Sequence, residues 1–232
     1  MRPCGLSKTQ RIALGGLEAV PDLSGALFIP ALSTLIVADL HLEKASSLAR
    51  RGAHLPPYDT RATLTQLGQV LAGCKPERLI FLGDSFHDGA AGERIAPADV
   101  AALAALTAGR EVIWIAGNHD PAPPLLTGGQ VAQSLAIGAV VLRHEPTALV
   151  AEQYEIAGHL HPAAAITQRG RRLRCKCFIA NAHRLLLPAF GSFTGGLDVM
   201  SAPIAALYPA RDYAVWMLGA AEIYRFTAAR LG

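Results

Sequence analysis

The sequence is poor in several features that mark particular classes of protein. Only four Cys occur among its 232 residues, too few for a disulfide-rich secreted scaffold. No run of about 18 apolar residues is present, so a membrane-spanning helix is not predicted. Near the amino terminus, Gly15, Gly16 and Glu18 interrupt any apolar stretch of signal-peptide length. We accordingly expect a cytoplasmic protein with reduced thiols and no membrane contact.

Charge is also scarce. Charged residues make up 17% of the chain, and 21 Lys and Arg face 18 Asp and Glu, a net charge of +3. So mild an excess makes no strong case for nucleic acid or for an acidic partner. The 51% hydrophobic fraction excludes a disordered chain. Without internal repeats or a linker-like segment, residues 1–232 are predicted to form one domain.

Two of the cysteines are close in sequence. Cys175 and Cys177 are separated by one residue, which is not a standard zinc-binding spacing. In a strand both side chains would lie on the same face, so a vicinal redox pair is the alternative to ordinary thiols. The eight His are a better source of chemistry, because His is widely used for metal binding and proton transfer.

Short apolar runs rich in β-branched residues predict buried strands. They cover residues 34–39, 78–82, 111–116, 139–143 and 154–157. Helical patterns separate the first three runs: one at 59–71, capped by Asp59 or Thr60, and one at 97–106, beginning with Pro97. This alternation predicts an α/β sheet that is parallel at least in part. After about residue 165, runs at 185–190, 214–218 and 222–226 predict a second, more antiparallel sheet.

Candidate metal ligands follow all five of the first runs. Because the carboxyl ends of parallel strands face one crevice, five strand ends would deliver these side chains to one place. Oxygen and nitrogen donors together suit Mn, Fe, Zn or Co, and seven ligands fit two ions if one carboxylate bridges them. The seven are Asp39, His41, Asp84, Asn118, His144, His159 and His161.

Each fragment by itself has an ordinary explanation. Residues 83–84 and 117–120 are compatible with turns, and the two histidines of 158–161 with a chance pair. The ordered set of five fragments, each at the end of an apolar run, is not explained in this way. His54 and His183 fall outside the set and are interpreted as ordinary surface or loop residues.

Together the fragments resemble the signature of the calcineurin-like metallophosphoesterases. Residues 39–41 match D-x-H, 83–87 match G-D-x-x-[D/H/R], 117–120 match G-N-H-[D/E], His144 matches a lone histidine, and 158–161 match G-H-x-H. Outside them, residues 55–64 and 185–199 resemble one bacterial branch, the ligase-associated DNA-damage-response endonucleases or phosphodiesterases of the PdeM type. The resemblance implies an α/β (α+β) fold, a four-layer metallophosphatase sandwich of two mixed β-sheets flanked by helices.

The resemblance also implies a role for each matched residue. One ion would be held by Asp39, His41 and His161, a second by Asn118, His144 and His159, with Asp84 bridging both. His119 would be the catalytic histidine, which donates a proton to the leaving oxygen or stabilises its charge, with Asp84 and Asn118 beside it. Family members often carry Asp where this chain has His87, so His87, Asp88 and Asp120 are alternatives for the residue that orients His119.

A basic segment follows the last fragment. Residues 169–176 hold five cations, and Arg172, Arg174 and Lys176 alternate, so they would share one face of a strand. Such a face suits a polynucleotide backbone as substrate. The alternative is an edge strand protected by charge. The Gly-rich segment 191–196 is predicted to be an ordinary loop.

These features predict a metal-dependent phosphodiesterase or nuclease with two divalent ions, Mn²⁺ first and Fe, Zn or Co as alternatives. The resemblance makes DNA the expected substrate, DNA repair the expected setting, and a DNA ligase and a helicase the expected functional associates. A phosphodiesterase of small cyclic nucleotides or nucleotide conjugates is the alternative enzyme. Loss of the catalytic histidine would favour a non-catalytic interaction scaffold, and His119 is present.

Overall fold

The computed structural model describes residues 10–53, 55–124, 126–149 and 152–231, so the prediction for His54 lies outside the described residues. The strands in these ranges are β1 (Ile12–Leu14), β2 (Leu17–Pro21), β3 (Leu27–Ile29), β4 (Thr34–Val37), β5 (Arg78–Leu82), β6 (Glu111–Ile115), β7 (Gln130–Ala132), β8 (Ser134–Ile137), β9 (Val140–Arg143), β10 (Tyr154–Ala157), β11 (Pro162–Gln168), β12 (Arg171–Ala180), β13 (Arg184–Leu186), β14 (Leu197–Asp198), β15 (Ala214–Leu218) and β16 (Ile223–Thr227). The α-helices are α1 (Lys44–Arg50), α2 (Asp59–Cys74), α3 (Ala91–Arg94), α4 (Pro97–Thr107) and α5 (Ala202–Ala205).

The first sheet contains β1 to β7 in sequence order. Strands β1 to β4 pair antiparallel, whereas β4 to β7 pair parallel. Helices α2 and α4 lie in the crossovers that lead to β5 and β6. Both faces of this parallel part are covered, which explains why β4, β5 and β6 read as continuous apolar runs.

The second sheet has the order β14-β11-β12-β13-β10-β9-β8, and β15 and β16 continue from β12. Strands β9, β10 and β13 pair parallel, whereas the hairpin of β11 and β12 and the pair of β15 and β16 are antiparallel. The sheet is therefore mixed, like the first.

Three clusters of buried hydrophobic residues hold the layers together. Residues from both sheets form the inner core, among them Ile36, Ile80, Ile113, Leu142, Ile156 and Phe178. Alternate residues of the first sheet face α2 and α4, where Phe81 stacks on Trp114 with ring centroids 3.9 Å apart. A third core lies under the short helix α5, and its members include Ile204 and Tyr208. This arrangement confirms the predicted sandwich of two mixed sheets flanked by helices.

Three sequence predictions about the sheets need correction. The second sheet begins at Ser134 rather than near residue 165, and β1, β2 and β3 had no counterpart among the predicted strands. The strand predicted at 185–190 ends at Leu186, because the chain then leaves the second sheet. Phe190 donates its main-chain N–H to Ala38 at the end of β4, so this apolar run crosses between the sheets.

The cysteines divide into two groups. Cys175 and Cys177 on β12 are free thiols, and burial raises the pKa of Cys177, which opposes thiolate chemistry there. Cys74 is disulfide-bonded, so the prediction of reduced thiols is wrong for this residue. In the described ranges, no helix combines the length and the apolar character needed to cross a bilayer.

Candidate metal centre

Five loops meet at one end of the sandwich, and they come from both sheets. The loops after β4, β5 and β6 belong to the first sheet, and those after β9 and β10 to the second. The main-chain N–H of His159 donates to the Asp39 carboxylate at 3.0 Å, which joins the two groups. We expected one crevice at the carboxyl ends of five parallel strands of a single sheet. The five strand ends instead belong to two sheets, which bring their loops together at one end of the sandwich.

One cluster contains Asp39, His41 and His161, whose ligand atoms all lie within 4.8 Å of one another. His161 Nε2 is 3.2 Å from Asp39 Oδ1 and 3.3 Å from His41 Nε2. Asp39 and His41 are buried. A carboxylate oxygen and two imidazole nitrogens converging in this way form a donor set that fits a divalent cation.

A second cluster surrounds His144. Its Nε2 atom lies 3.0 Å from Asn118 Oδ1, 3.3 Å from Asp84 Oδ2 and 3.3 Å from His159 Nδ1. His144 Nδ1 donates to the Leu82 carbonyl at 3.2 Å, which leaves Nε2 as the nitrogen available to a metal. Four candidate ligand atoms thus point at one place, and they also fit a divalent cation.

Asp84 stands between the two clusters. Its Oδ2 atom is 3.3 Å from His144 Nε2 in the second cluster and 3.8 Å from His41 Nε2 in the first. Its other oxygen, Oδ1, accepts the main-chain N–H of His119 at 2.9 Å. Asp84 therefore has the contacts expected of a bridging ligand. Asp39 Oδ1 also lies 3.8 Å from His144, but from Nδ1, the nitrogen that donates to the Leu82 carbonyl.

Several candidate ligands have left-handed backbone conformations, which non-glycine residues rarely adopt. Such conformations cost of order 1–3 kcal/mol each and persist where the surrounding structure over-determines them, commonly at functional sites. The residues and their φ angles are Asp39 (55°), His41 (47°), Asp84 (45°), His159 (67°) and His161 (46°). Nothing in the strand pattern predicts these angles, so only the folded chain reveals them.

Gly117 is required by close packing in the centre. A Cβ atom at this position would lie 2.2 Å from both the main-chain nitrogen and Oδ1 of Asp84. The glycine of the Gly-Asn-His-Asp fragment therefore allows the loop after β6 to pack against Asp84.

The protonation of the centre reflects burial and mutual contact. Burial lowers the pKa of His41 to about 3 and also lowers the pKa of His159, so both imidazoles are neutral, the form that binds metals. Burial alone would raise the pKa of Asp84, but the hydrogen bond and charge of His144 lower it to about 2. Burial opposes charge on His144 too, and its contact with Asp84 outweighs that effect and raises the pKa to about 9.

His119 lies at the exposed edge of the centre. Its Nδ1 atom is 2.9 Å from the main-chain carbonyl of His87. Because a carbonyl only accepts, Nδ1 carries the proton and Nε2 is free to face a ligand. The His87 and His119 rings stack with centroids 5.1 Å apart, and both approach His41.

Of the three candidate orienting residues, the side chains of Asp88 and Asp120 have other partners, whereas the His87 ring stacks on His119. Asp88 accepts from Arg94 Nη2 at 2.8 Å, and Asp120 accepts the main-chain N–H of Phe86 at 3.0 Å. Burial raises the pKa of Asp120 to about 7 and lowers that of His87 to about 4. The hydrogen bond to the His119 ring nitrogen is made by the main-chain carbonyl of His87, an atom that the residue type does not reveal.

A buried polar network behind His41 was not predicted. Asp59 accepts the N–H of Ala45 at 2.9 Å, and Thr60 Oγ1 accepts the N–H of Glu43 at 2.9 Å. The predicted role of Asp59 or Thr60 as the cap of α2 is wrong, because Tyr58 is the N-cap and both side chains instead bind the first turn of α1. The signal was present in the sequence as polar residues on the buried face of α2.

The predicted basic face lies on β12, beside the loop that contains His161. Arg172 is exposed and 3.4 Å from Asp198, and Arg174 donates to the Gly196 carbonyl. Lys176 instead turns inward, where it donates to the carbonyls of Ala189 and Gly191 at 2.8 and 2.9 Å. Burial lowers its pKa to about 8.

A cavity of about 380 Å³ opens beside Asn118 and His144 of the second cluster.

Residues 32–171 match the Calcineurin-like phosphoesterase family, more than half of the chain. The chain belongs to the calcineurin-like phosphoesterase family. Family members use a dinuclear metal centre, and the two clusters around Asp84 provide residues for one. The protein is therefore a metal-dependent phosphodiesterase.

Two solved structures are similar to this phosphoesterase. Pseudomonas putida nuclease MPE shares 32% sequence identity with a TM-score of 0.73, over 94% of this chain and 99% of that chain. Yfce, a phosphoesterase from E. coli, shares 15% identity with a TM-score of 0.41, over 84% of this chain and 98% of that chain. No curated protein matches the sequence.

Proposed function

We propose that this phosphoesterase is a two-metal nuclease that hydrolyses DNA. The position of Asp84 Oδ2 between His144 Nε2 at 3.3 Å and His41 Nε2 at 3.8 Å carries the proposal, because it links two ligand clusters through one carboxylate. The first ion is assigned to Asp39, His41 and His161, the second to Asn118, His144 and His159, and Asp84 to both. Mn²⁺ is the proposed metal, since the donor set mixes oxygen with nitrogen.

Two bound divalent ions would supply a water of lowered pKa and offset the charge of the phosphate oxygens. The chain's own residues set the geometry of this chemistry. The Leu82 carbonyl orients the His144 ring, and the main-chain N–H of His119 orients the Asp84 carboxylate. Asn118 is exposed and lies 3.0 Å from His144 Nε2, and we assign it a contact with the phosphate as well as with the second ion.

His119 is proposed as the proton donor to the leaving oxygen. The carbonyl of His87 holds the proton on Nδ1, so a proton taken up by the ring resides on Nε2 and is the one available for transfer. His119 is exposed, unlike His41 and His144, and can therefore reach a substrate. In this assignment the His87 carbonyl is the orienting group, and the side chains of Asp88 and Asp120 are structural.

Hydrolysis of bis-p-nitrophenyl phosphate with added Mn²⁺ tests the assignment. Asp84→Ala should abolish hydrolysis, and His119→Ala should lower kcat by about 100- to 10,000-fold, the usual contribution of a general acid. Metal content, measured on the same samples, should fall in Asp84→Ala and stay in His119→Ala. His183→Ala, an exposed histidine stacked on Tyr154, is the matched control and should retain full activity. Full activity in folded Asp84→Ala would refute the proposal.

Nucleic acid as the substrate is supported by two observations. The similar protein from Pseudomonas putida is described as a nuclease, and Arg172 and Arg174 form an exposed basic edge next to the strand that follows His161. Cleavage in DNA repair, association with a DNA ligase and a helicase, and residence in the cytoplasm stay predictions of the sequence.

Salt dependence separates DNA from a small diester. Binding of single-stranded DNA should weaken with a slope of about −0.7 per contacted phosphate in a plot of log K against log salt, whereas a cyclic nucleotide should respond little. Arg172→Ala and Arg174→Ala should each reduce the slope by roughly that amount. Arg61→Ala, an equally exposed arginine paired with Asp99 on the helical side, is the control. A flat salt response with efficient cleavage of cyclic nucleotides would favour the small-molecule alternative.

A further inference from the structure

The loop 191–196 is attached at both ends to the metal centre. The N–H of Gly191 donates to the Asp39 carbonyl at 3.1 Å, and the N–H of Leu197 donates to the His161 carbonyl at 3.1 Å. The loop therefore spans the main chain of two residues of the first cluster. A segment predicted to be an ordinary loop instead borders the proposed first metal.

Side chains also immobilise the interior of this loop. The half-buried Lys176 ammonium donates to the Gly191 carbonyl and to Thr194 Oγ1, both at 2.9 Å. Thr63 Oγ1 on α2 accepts the N–H of Ser192 at 3.1 Å. Removing a lysine ammonium from water costs free energy unless its donors are satisfied. The loop supplies two of the acceptors, so its conformation is coupled to the position of Lys176.

Close packing fixes the two ends of the loop as well. A Cβ at Gly191 would lie 2.1 Å from the Leu40 carbonyl oxygen, and one at Gly196 would lie 2.6 Å from the His161 carbonyl oxygen. The loop thus lies directly on the chain segments that present the first cluster. Gly195 between them has open space at its Cβ position.

Phe193 is the exposed aromatic residue of this immobilised loop, with 37% of its surface accessible. A single exposed apolar residue is common on protein surfaces and carries no meaning alone. Here its backbone is held on both sides, and its Cα lies within about 7 Å of the Gly191 Cα, since two residues span no more than that. The loop therefore places Phe193 two residues from Gly191, whose main-chain N–H donates to the carbonyl of the candidate ligand Asp39.

We propose that Phe193 stacks on a nucleobase next to the scissile phosphate, so that the loop 191–196 forms a base-binding subsite. The inference rests on the proposed nuclease function and deepens it, because it makes a base-bearing diester the preferred substrate. An exposed aromatic ring on a loop whose backbone is fixed can stack on any base, since every base has a π-face. Arg174 on β12, which donates to the Gly196 carbonyl, adds a cation beside this loop.

The test compares cleavage of the dinucleotide thymidylyl-thymidine with its two analogues that each lack one base. For the wild type, kcat/KM should be about 5- to 150-fold higher with the base that occupies the subsite than without it, the usual range for aromatic stacking. Phe193→Ala should lose that advantage while its rate on the abasic analogue stays within twofold of wild type. Phe193→Trp should restore the preference. Tyr224→Ala, which removes an exposed aromatic from β16, should change neither rate.

Two outcomes overturn the inference and are distinguishable. If wild type cleaves all three compounds but Phe193→Ala has no effect, or lowers all rates equally, the base-binding subsite is wrong while the nuclease function stands. If wild type cleaves none of them and still hydrolyses bis-p-nitrophenyl phosphate, nucleic acid is the wrong substrate and the subsite falls with it.

Discussion

Gly117→Ala tests the packing on which the whole centre depends. The added methyl group would meet the main-chain nitrogen and Oδ1 of Asp84 at 2.2 Å, and Oδ1 of Asp120 at 2.7 Å. Non-bonded atoms do not approach so closely, so the loop after β6 and Asp84 must separate by about 1 Å. Displacements of that size at a reacting centre cost roughly 100-fold in rate. The overpacking itself should destabilise the fold by about 1–3 kcal/mol.

The expected result is a folded protein with weakened metal binding. Hydrolysis of bis-p-nitrophenyl phosphate should fall by roughly 100-fold at fixed Mn²⁺, and calorimetric titration should show a weaker affinity for the metal. Gly89→Ala is the matched control, because its Cβ would enter open space in the neighbouring loop. Equal activity of the two variants would show that the contact between residue 117 and Asp84 does not position the carboxylate.

Three further predictions concern stability. Arg184→Leu removes the cation that donates to Oε2 of the fully buried Glu155, and Arg143 stays 3.3 Å from the other oxygen, Oε1. The free energy of urea unfolding should fall by up to about 3–5 kcal/mol. Arg172→Leu, which breaks the exposed pair with Asp198, should lose at most about 1 kcal/mol; similar losses in the two variants would contradict this. Mn²⁺ at 100 times its Kd should stabilise wild type by about 2.7 kcal/mol in the same assay and Asp84→Ala by much less; an equal gain would argue against the site. Burial raises the pKa of Asp120 to about 7 in the folded protein, well above its unfolded value, so the stability contributed by its protonated carboxyl is present at acid pH and is lost as the pH rises through 7. Asp120→Asn should therefore flatten this fall in the free energy of unfolding of the metal-free protein. Parallel curves of stability against pH for the two proteins would refute the prediction.

The sequence determined much of the local structure. Short apolar runs predicted β5, β10 and β15 with the observed bounds, because burial on both faces requires a continuous run of apolar residues. The spacing of Leu64, Leu67 and Leu71 predicted α2, because those side chains share one helical face. The ligand types at the strand ends predicted metal chemistry, since Asp, Asn and His are chemically suited to it wherever they converge.

Tertiary structure alone decided how those pieces meet. The apolar pattern of a strand is the same in either sheet, so it did not indicate that β9 and β10 face β4, β5 and β6 across the inner core. Main-chain atoms have no residue-type signature, which is why the His87 carbonyl beside His119 was not predicted. Alternation placed Lys176 on a basic face, but its ammonium turns inward and donates to the Ala189 carbonyl, the Gly191 carbonyl and the Thr194 hydroxyl. The same contacts convert an ordinary-looking Gly-rich segment into a fixed border of the metal centre.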